Sequence, residues 1–283
     1  NPYPRWVKLP RLVPLLGVNA ELRRTFPLAR FAPLADDRQV ELLIAGCGTG
    51  GQAILTAQRF RGVRVLAVDL SLSSLGYALR KTREMGITNI EYAQADILKL
   101  GDIPRTFDVI ASGGVLHHLA DPFEGWRILL SRLRAGGFMQ LGFYSRLARR
   151  HVITAREIIA ARGYASTADD IRRFRRHLAE DAGAELRWLS NSQDFYSTSE
   201  FRDLVFHVQE HCLTLDQIGA FLAASGLQFL GFEIEPTVLQ QYRTRFADDP
   251  AGTNLRNWAR FEADYPDTFA GMYQFWIQRP AGP

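Results

Sequence analysis

The chain has 283 residues, 47% of them hydrophobic and 23% charged, which is enough apolar material for a sizeable core and excludes a disordered tail. Its net charge of +4 is a mild basic excess, far short of a nucleic-acid-binding signature, and lysine occurs only at Lys8, Lys81 and Lys99, an arginine bias that GC-rich coding explains as readily as phosphate binding does. Two cysteines, Cys47 and Cys212, far apart and without metal-ligand spacing, exclude a disulfide scaffold and a zinc ribbon and point to a reducing, cytoplasmic setting; with no apolar run near the ~20 residues of a membrane span and no charged-then-apolar leader at the start, a soluble protein is expected.

The opening segment, Asn1 to Pro14, places Pro2, Pro4, Pro10 and Pro14 around Tyr3 and Trp6 and reads as an extended arm. Its first residue is Asn rather than Met, which suits a processed form or a piece of a longer polypeptide. After a helical stretch at Asn19 to Arg24, the apolar run Val40 to Ala45 enters Gly46-Cys47-Gly48-Thr49-Gly50-Gly51, a buried strand leading into a glycine turn. A helix over Gln52 to Arg59, a strand over Val63 to Val68 ending at Asp69, and a helix over Leu72 to Glu84 follow. Next come a strand over Ile90 to Ala93 before Asp96, a strand over Phe107 to Ala111 before Ser112-Gly113-Gly114, a helix over Pro122 to Leu133 and a strand over Phe138 to Phe143. This alternation with short loops predicts an α/β fold with a parallel sheet covered on both faces.

The rhythm breaks between Ser145 and Cys212. Nine arginines stand between Arg146 and Arg176 against Glu157, Asp169 and Asp170, and the stretch reads as an inserted helical lid whose arginines form a solvated face. A helix over Leu215 to Ala224, a strand over Leu227 to Glu233 and an aromatic-rich strand over Met272 to Gln278 complete the pattern.

The turn matches GxGxxG through Gly46, Gly48 and Gly51, where a side chain would block a ligand's approach to the backbone. Asp69, about 20 residues on, can accept both hydroxyls of a ribose, a pairing that suits an adenosine ligand of either kind, nicotinamide dinucleotide or S-adenosylmethionine. Asp96, closing the third strand, is placed to receive an adenine amino group. Together with Ser112-Gly113-Gly114-Val115-Leu116-His117-His118, these positions resemble the class I S-adenosylmethionine-dependent methyltransferases over Val40 to Phe143 and again over Leu215 to Gln278.

The resemblance implies a Rossmann-like seven-stranded sheet ending in an antiparallel strand, with a helical lid insertion. It divides the chain into an N-terminal arm and cap (1–39), a cofactor-binding core (40–145), a helical lid or substrate insertion (146–211) and the C-terminal part of the core (212–283). It places Gly46, Gly48 and Gly50 against the methionine portion of S-adenosylmethionine with Cys47 as a small filler. Asp69, followed by Leu70, would hold the ribose, Asp96 and Ile97 the adenine, while Ser112, Gly113 and Gly114 line the amino-acid end. Leu116-His117-His118-Leu119 with Asp121-Pro122 looks like the same region of ubiquinone and menaquinone biosynthesis methyltransferases. Asp194-Phe195-Tyr196-Ser197-Thr198, Phe206 to His211 and the opening Asn1 to Trp6 look like the methyltransferase part of bacterial tetratricopeptide-repeat proteins, which implies an upstream repeat module in the natural chain.

The acceptor is expected to be a small molecule or a protein side chain, without nucleic acid. Candidates to assist a protonated acceptor are His117, Tyr144, Tyr196 and His207, with His118 packing or capping the next helix. Asp194, Tyr196, Arg202 and Asp203 are expected to face the substrate. His207-Val208-Gln209-Glu210-His211 matches H-x-x-E-H, which on a helix would set two imidazoles on one face, but no further ligand is evident and a wall of the substrate cavity is preferred to a metal site. Tyr77 and Lys81 imitate the Tyr-x-x-x-Lys pair of short-chain dehydrogenases, yet follow the second strand and read as a surface pair. Two other classes stay open: an NAD-dependent oxidoreductase, and a non-catalytic S-adenosylmethionine-binding interaction module.

Overall fold

Apolar runs, each broken by a turn, build most of the order of elements. A computed structural model describes residues 6, 8–11, 16–181, 186–207 and 209–282; Pro2, Tyr3, Pro4 and Pro14 of the expected arm, and Val208, lie outside the described residues. In chain order the elements are α1 (Val18–Thr25), β1 (Val40–Ala45), α2 (Gly51–Arg59), β2 (Val63–Asp69), α3 (Leu72–Glu84), β3 (Ile90–Gln94), β4 (Phe107–Gly113), α4 (Pro122–Arg132) and β5 (Leu133–Phe143). They continue with α5 (Arg150–Ala161), α6 (Ala168–Asp181), α7 (Arg187–Asn191), α8 (Thr198–Val205), α9 (Leu215–Ala224), β6 (Gln228–Phe232), α10 (Pro236–Arg245), α11 (Leu255–Asp264) and β7 (Tyr273–Gln278). Short 3-10 turns follow β3 (Ile97–Asp102) and β4 (Leu116–His118).

The seven strands form one sheet in the order β3-β2-β1-β4-β5-β7-β6. β1 to β5 run parallel and β7 runs antiparallel to both β5 and β6, the Rossmann-like class I methyltransferase arrangement. The strand order reverses between β1 and β4, so the turns leaving them diverge and open a crevice at the carboxyl edge, where ligands of such sheets bind. Both faces are buried, which is why the strands read as continuous apolar runs. Along β1, Leu43 and Ala45 join one core with Ile110, Trp126 and Phe143, while Val40, Leu42 and Ile44 join the other with Val65, Val109 and Phe138. The helices α10 and α11 had no counterpart in the sequence reading. α10 buries only Tyr242, whose ring stacks on Trp258 of α11 at 3.9 Å.

Helices α5 to α8 carry a core of their own. Ile171, Phe174 and Leu178, spaced to share one face of α6, meet Val152 and Ala155 of α5 and Phe201 and Leu204 of α8. The chain enters and leaves this insertion side by side through a bridge between Ser145 and Leu213, with the Leu213 N–H donating to the Tyr144 carbonyl (2.9 Å) and the Arg146 N–H to the Leu213 carbonyl (2.9 Å). Among the described residues no helix is long and apolar enough to cross a membrane. Because its core is separate, the insertion should open before the sheet does. Phe174, 0% exposed, tests this: Phe174→Ala should cost about 3–5 kcal/mol locally, seen as faster hydrogen exchange over 150–205 with the sheet amides unchanged.

Candidate functional site

The glycine turn after β1 is held from both sides. The N–H groups of Gly46 and Cys47 both donate to the Val68 carbonyl at 2.9 Å, and the Gly48 N–H donates to Asp69 Oδ2 at 2.8 Å. Asp69 Oδ1 in turn accepts the Ser71 N–H at 2.9 Å, so one carboxylate fixes two neighbouring strand-to-helix turns. Two accepted bonds leave a carboxylate further acceptor positions, and Asp69 is only partly buried.

Gly46 and Gly50 adopt φ of +83° and +84°, and a Cβ at either would meet Val115 at 2.5 Å or Ala78 at 2.6 Å. At these two positions glycine is required by neighbouring protein and by the left-handed backbone, which corrects the expectation that ligand approach alone demands it. Cys47 is 6% exposed, and burial together with the Asp69 charge pushes its thiol up to about 12, as befits a filler rather than a nucleophile.

Beyond β2 and β3, Leu70, Ala95, Asp96, Leu100 and Ile103 line a hollow of about 380 Å³. Leu70 is 64% exposed at its mouth. Asp96 caps the following 3-10 turn by accepting the Leu98 N–H at 2.9 Å, and Ile97 beside it is buried in the core. Ser112, fully buried, donates to the Ala45 carbonyl at 3.0 Å; its side chain ties β4 to β1 rather than facing the crevice. Near Gly113 lies a polar chain that the sequence reading missed. Gln52 Nε2 donates to Gln140 Oε1 at 3.5 Å, and Gln140 Nε2 to Glu233 Oε2 at 2.6 Å.

Past the ends of β4 and β5, rings and cations gather beneath the insertion. His117 is 0% exposed; its ring lies 4.1 Å from Tyr144 and 4.3 Å from His118, and neither of its ring nitrogens has a hydrogen-bond partner. Burial, then the charges of His118 and Arg149, push the His117 imidazole down to about 2. His118 stacks on His207 at 4.1 Å and its Nδ1 lies 3.0 Å from the Gln209 carbonyl; burial lowers its pKa too. The His117 carbonyl accepts the His211 N–H at 2.8 Å, which pins the end of the insertion to the turn after β4. Arg149, directly before α5, and Arg156, about two turns further on, flank the inward-facing Val152 and Ala155; Arg149 is buried, and Arg156 pairs with the buried side chain of Glu210.

Residues 42–137 match the family model described as a methyltransferase domain. Over these residues the chain is similar to methyltransferase domains, and its seven-stranded sheet has the Rossmann-like class I methyltransferase order. An uncharacterised protein of Synechococcus is 30% identical over 209 residues, 68% of this chain and 48% of that protein, so the chain spans about half of this relative's length. A ubiquinone biosynthesis O-methyltransferase of Chromobacterium violaceum is 26% identical over 149 residues, 52% of this chain and 61% of that protein. Among solved structures, PKMT2 from Rickettsia typhi superposes with a TM-score of 0.70 at 15% identity, covering 95% of this chain and 55% of that one, and its complex with AdoHcy gives 0.65. At that identity the likeness is one of fold.

In the methyltransferase sheet, β7 lies antiparallel between β5 and β6, unlike the six-stranded dinucleotide sheet of a dehydrogenase. Tyr77 and Lys81 are engaged elsewhere: the Tyr77 hydroxyl bonds the Trp6 carbonyl, and Lys81 pairs with Glu84 at 3.0 Å and sits over the Trp6 ring. Trp6 itself reaches the glycine turn, its indole donating to the Thr49 carbonyl at 3.1 Å.

Of the four candidate assisting residues, the structure joins Tyr144, His117 and His207 in one row of rings, Tyr144 against His117 and His207 against His118 beside it. Tyr196 stands apart, 75% exposed, with its ring edge-on to Phe195, and Asp203 is exposed as well. The helix after β4 is capped by Asp121, which accepts the Phe123 N–H at 2.8 Å, and not by His118. α8 ends at Val205, so His207 and His211 do not share a helix face, and among the described residues no group of three or more His, Cys, Asp or Glu is placed to hold a metal.

The sequence reading also treated the arginines of the insertion as one solvated face. Arg150, Arg172 and Arg173 do pair outward with Asp267, Asp169 and Asp170, but Arg149 and Arg156 break from them. Their spacing on the apolar stripe Val152-Ala155-Ile159 was the available signal.

The depressed His117 has a consequence for stability. A histidine of ordinary pKa in the unfolded chain binds a proton below about 6.5 that the folded site refuses, so its contribution is full above that pH and is lost as pH falls toward 2. Between pH 6.5 and 5.0 the loss should reach about 1.6 kcal/mol, and His117→Asn should remove it, as measured by urea unfolding at the two pH values.

Proposed function

We propose that the chain transfers a methyl group from S-adenosylmethionine to a small molecule or a single side chain enclosed under the helical insertion. The observation that supports this reading is that two groups of residues stand at the carboxyl edge of one sheet. The glycine turn and Asp69 lie at the ends of β1 and β2, while His117 and Tyr144 lie past β4 and β5 beneath the insertion. At that edge, Gly46, Cys47, Gly48 and Gly50 would cradle the methionine portion. The spare acceptor positions of Asp69 suit two ribose hydroxyls, and Leu70 and Asp96 border a hollow that suits adenine, with Ile97 packed in the core beside them. Gly113 and Gly114 would line the amino-acid end, with Ser112 holding their strand in place. The tetratricopeptide association belongs to the sequence resemblance alone.

When bound, S-adenosylmethionine supplies a methyl group on an already activated sulfonium. What remains for the chain is to align the acceptor and exclude water, which positioning can turn into roughly 7–11 kcal/mol of barrier reduction. The insertion, with both ends pinned at Ser145 and Leu213, would serve as the acceptor's cover. His117, held neutral, is a poor proton acceptor at pH 7 and serves better to receive or donate a hydrogen bond that orients the acceptor; Tyr144 stacks beside it.

S-adenosylmethionine and S-adenosylhomocysteine should each raise the melting temperature and NAD should not. Asp69→Ala should abolish both rises while the fold persists. Labelled methyl donor incubated with extract should mark an acceptor in a protein-dependent way. Ligand-induced stabilisation without any labelled species would favour the non-catalytic binding module.

A further inference from the structure

Arg149 is a buried cation without a counterion among the described residues. It is 7% exposed, its Nε has no hydrogen-bond partner, and it forms no ion pair with any described carboxylate. It precedes α5 directly, yet its side chain makes no capping bond; instead the guanidinium lies 3.4 Å from the centre of the Tyr144 ring. The neighbouring cation has a counterion, for Arg156 pairs with Glu210 at 3.1 Å and donates to the Leu204 carbonyl at 2.9 Å, leaving only its Nε without a partner. Glu210, its side chain 2% exposed, is thus committed. Tyr144 also meets the ring of His117, whose two nitrogens lack partners inside the same buried region. A buried, unpaired guanidinium is strongly unfavourable unless an anion comes to it.

We propose that this site takes an acceptor bearing a carboxylate, held by Arg149 from its place on the Tyr144 ring, with the adjoining atoms of the acceptor facing His117. The proposal rests on the methyl-transfer reading and names the substrate class of that same site. Two features, the charge count and Glu210, select a carboxylate over a phosphate, while the guanidinium fork would serve either. One unpaired guanidinium neutralises a single negative charge. Its planar fork matches two carboxylate oxygens, and stacking leaves those in-plane donors available. Glu210, reached through Arg156, opposes a second negative charge.

The test is a melting series, run with and without saturating S-adenosylhomocysteine, with benzoate and succinate, their neutral counterparts benzamide and succinamide, and inorganic sulfate. The carboxylates should raise the melting temperature further, and the amides should not. Arg149→Met should lose the carboxylate response, and Arg149→Lys should raise its half-saturating concentration about tenfold or more. Arg150→Gln, at a surface arginine paired with Asp267, should keep it. Should Arg149→Met fail to fold, Arg149→Lys decides. Equal responses to amides, a sulfate response matching the carboxylates, no carboxylate response in the wild type, or an unchanged half-saturation in Arg149→Lys would each overturn the proposal. A missing response to S-adenosylhomocysteine alone would instead count against the methyl-transfer reading, since the carboxylate arms are also run without it.

Discussion

One carboxylate organises the crevice. Asp69 accepts a backbone N–H from the glycine turn after β1 and another from the turn after β2, so the two strand tips are held in one register. Charge-assisted bonds to backbone donors are among the stronger ones available to a protein, and here they order a turn that three left-handed glycines would otherwise leave loose. The same carboxylate keeps acceptor positions toward the opening. The group that would grip a ribose is therefore the group that shapes the loop around it, and structure and binding rest on a single side chain.

The other half of the crevice follows a different logic. The insertion folds on its own apolar core and is tied to the sheet at its root, where Ser145 pairs with Leu213, and at the turn after β4, where His211 bonds to His117. Around those ties the chain gathers the buried Arg149, the half-buried Arg156 and the buried side chain of Glu210, an arrangement that costs stability unless its charges are matched. Arg156 and Glu210 match each other. A helical layer of separate stability, closing over a polar interior, is what an enclosed transfer reaction needs: access when it opens and dryness when it shuts.

Much of the sheet was legible because strands buried on both faces are written as unbroken apolar runs. Val40 to Ala45 and Leu72 to Glu84 have the same bounds in sequence and structure. Reading failed where tertiary packing decides. α10 shows no apolar stripe because only Tyr242 is buried, and β5 begins at Leu133, ahead of its apolar stretch, because a register shift lets Leu133 pair with Phe107. In the site, the glycines and the two acids were legible from spacing, but the cause of the glycines was not: Val115 and Ala78 come from distant elements. Arg149 was hidden among eight other arginines, and nothing in the composition separates an inward cation from a solvated one. Tyr196 attracted attention as a polar aromatic in a dense motif, and it faces solvent.

The most direct measurement is a crystal structure of the chain with S-adenosylhomocysteine. The account requires both ribose hydroxyls on the Asp69 carboxylate, the adenine in the hollow beside Leu70 and Asp96, and the sulfur directed toward the space between Gly113 and His117. Density for the ligand elsewhere, or an adenosyl group that leaves Asp69 bonded to backbone alone, would contradict it.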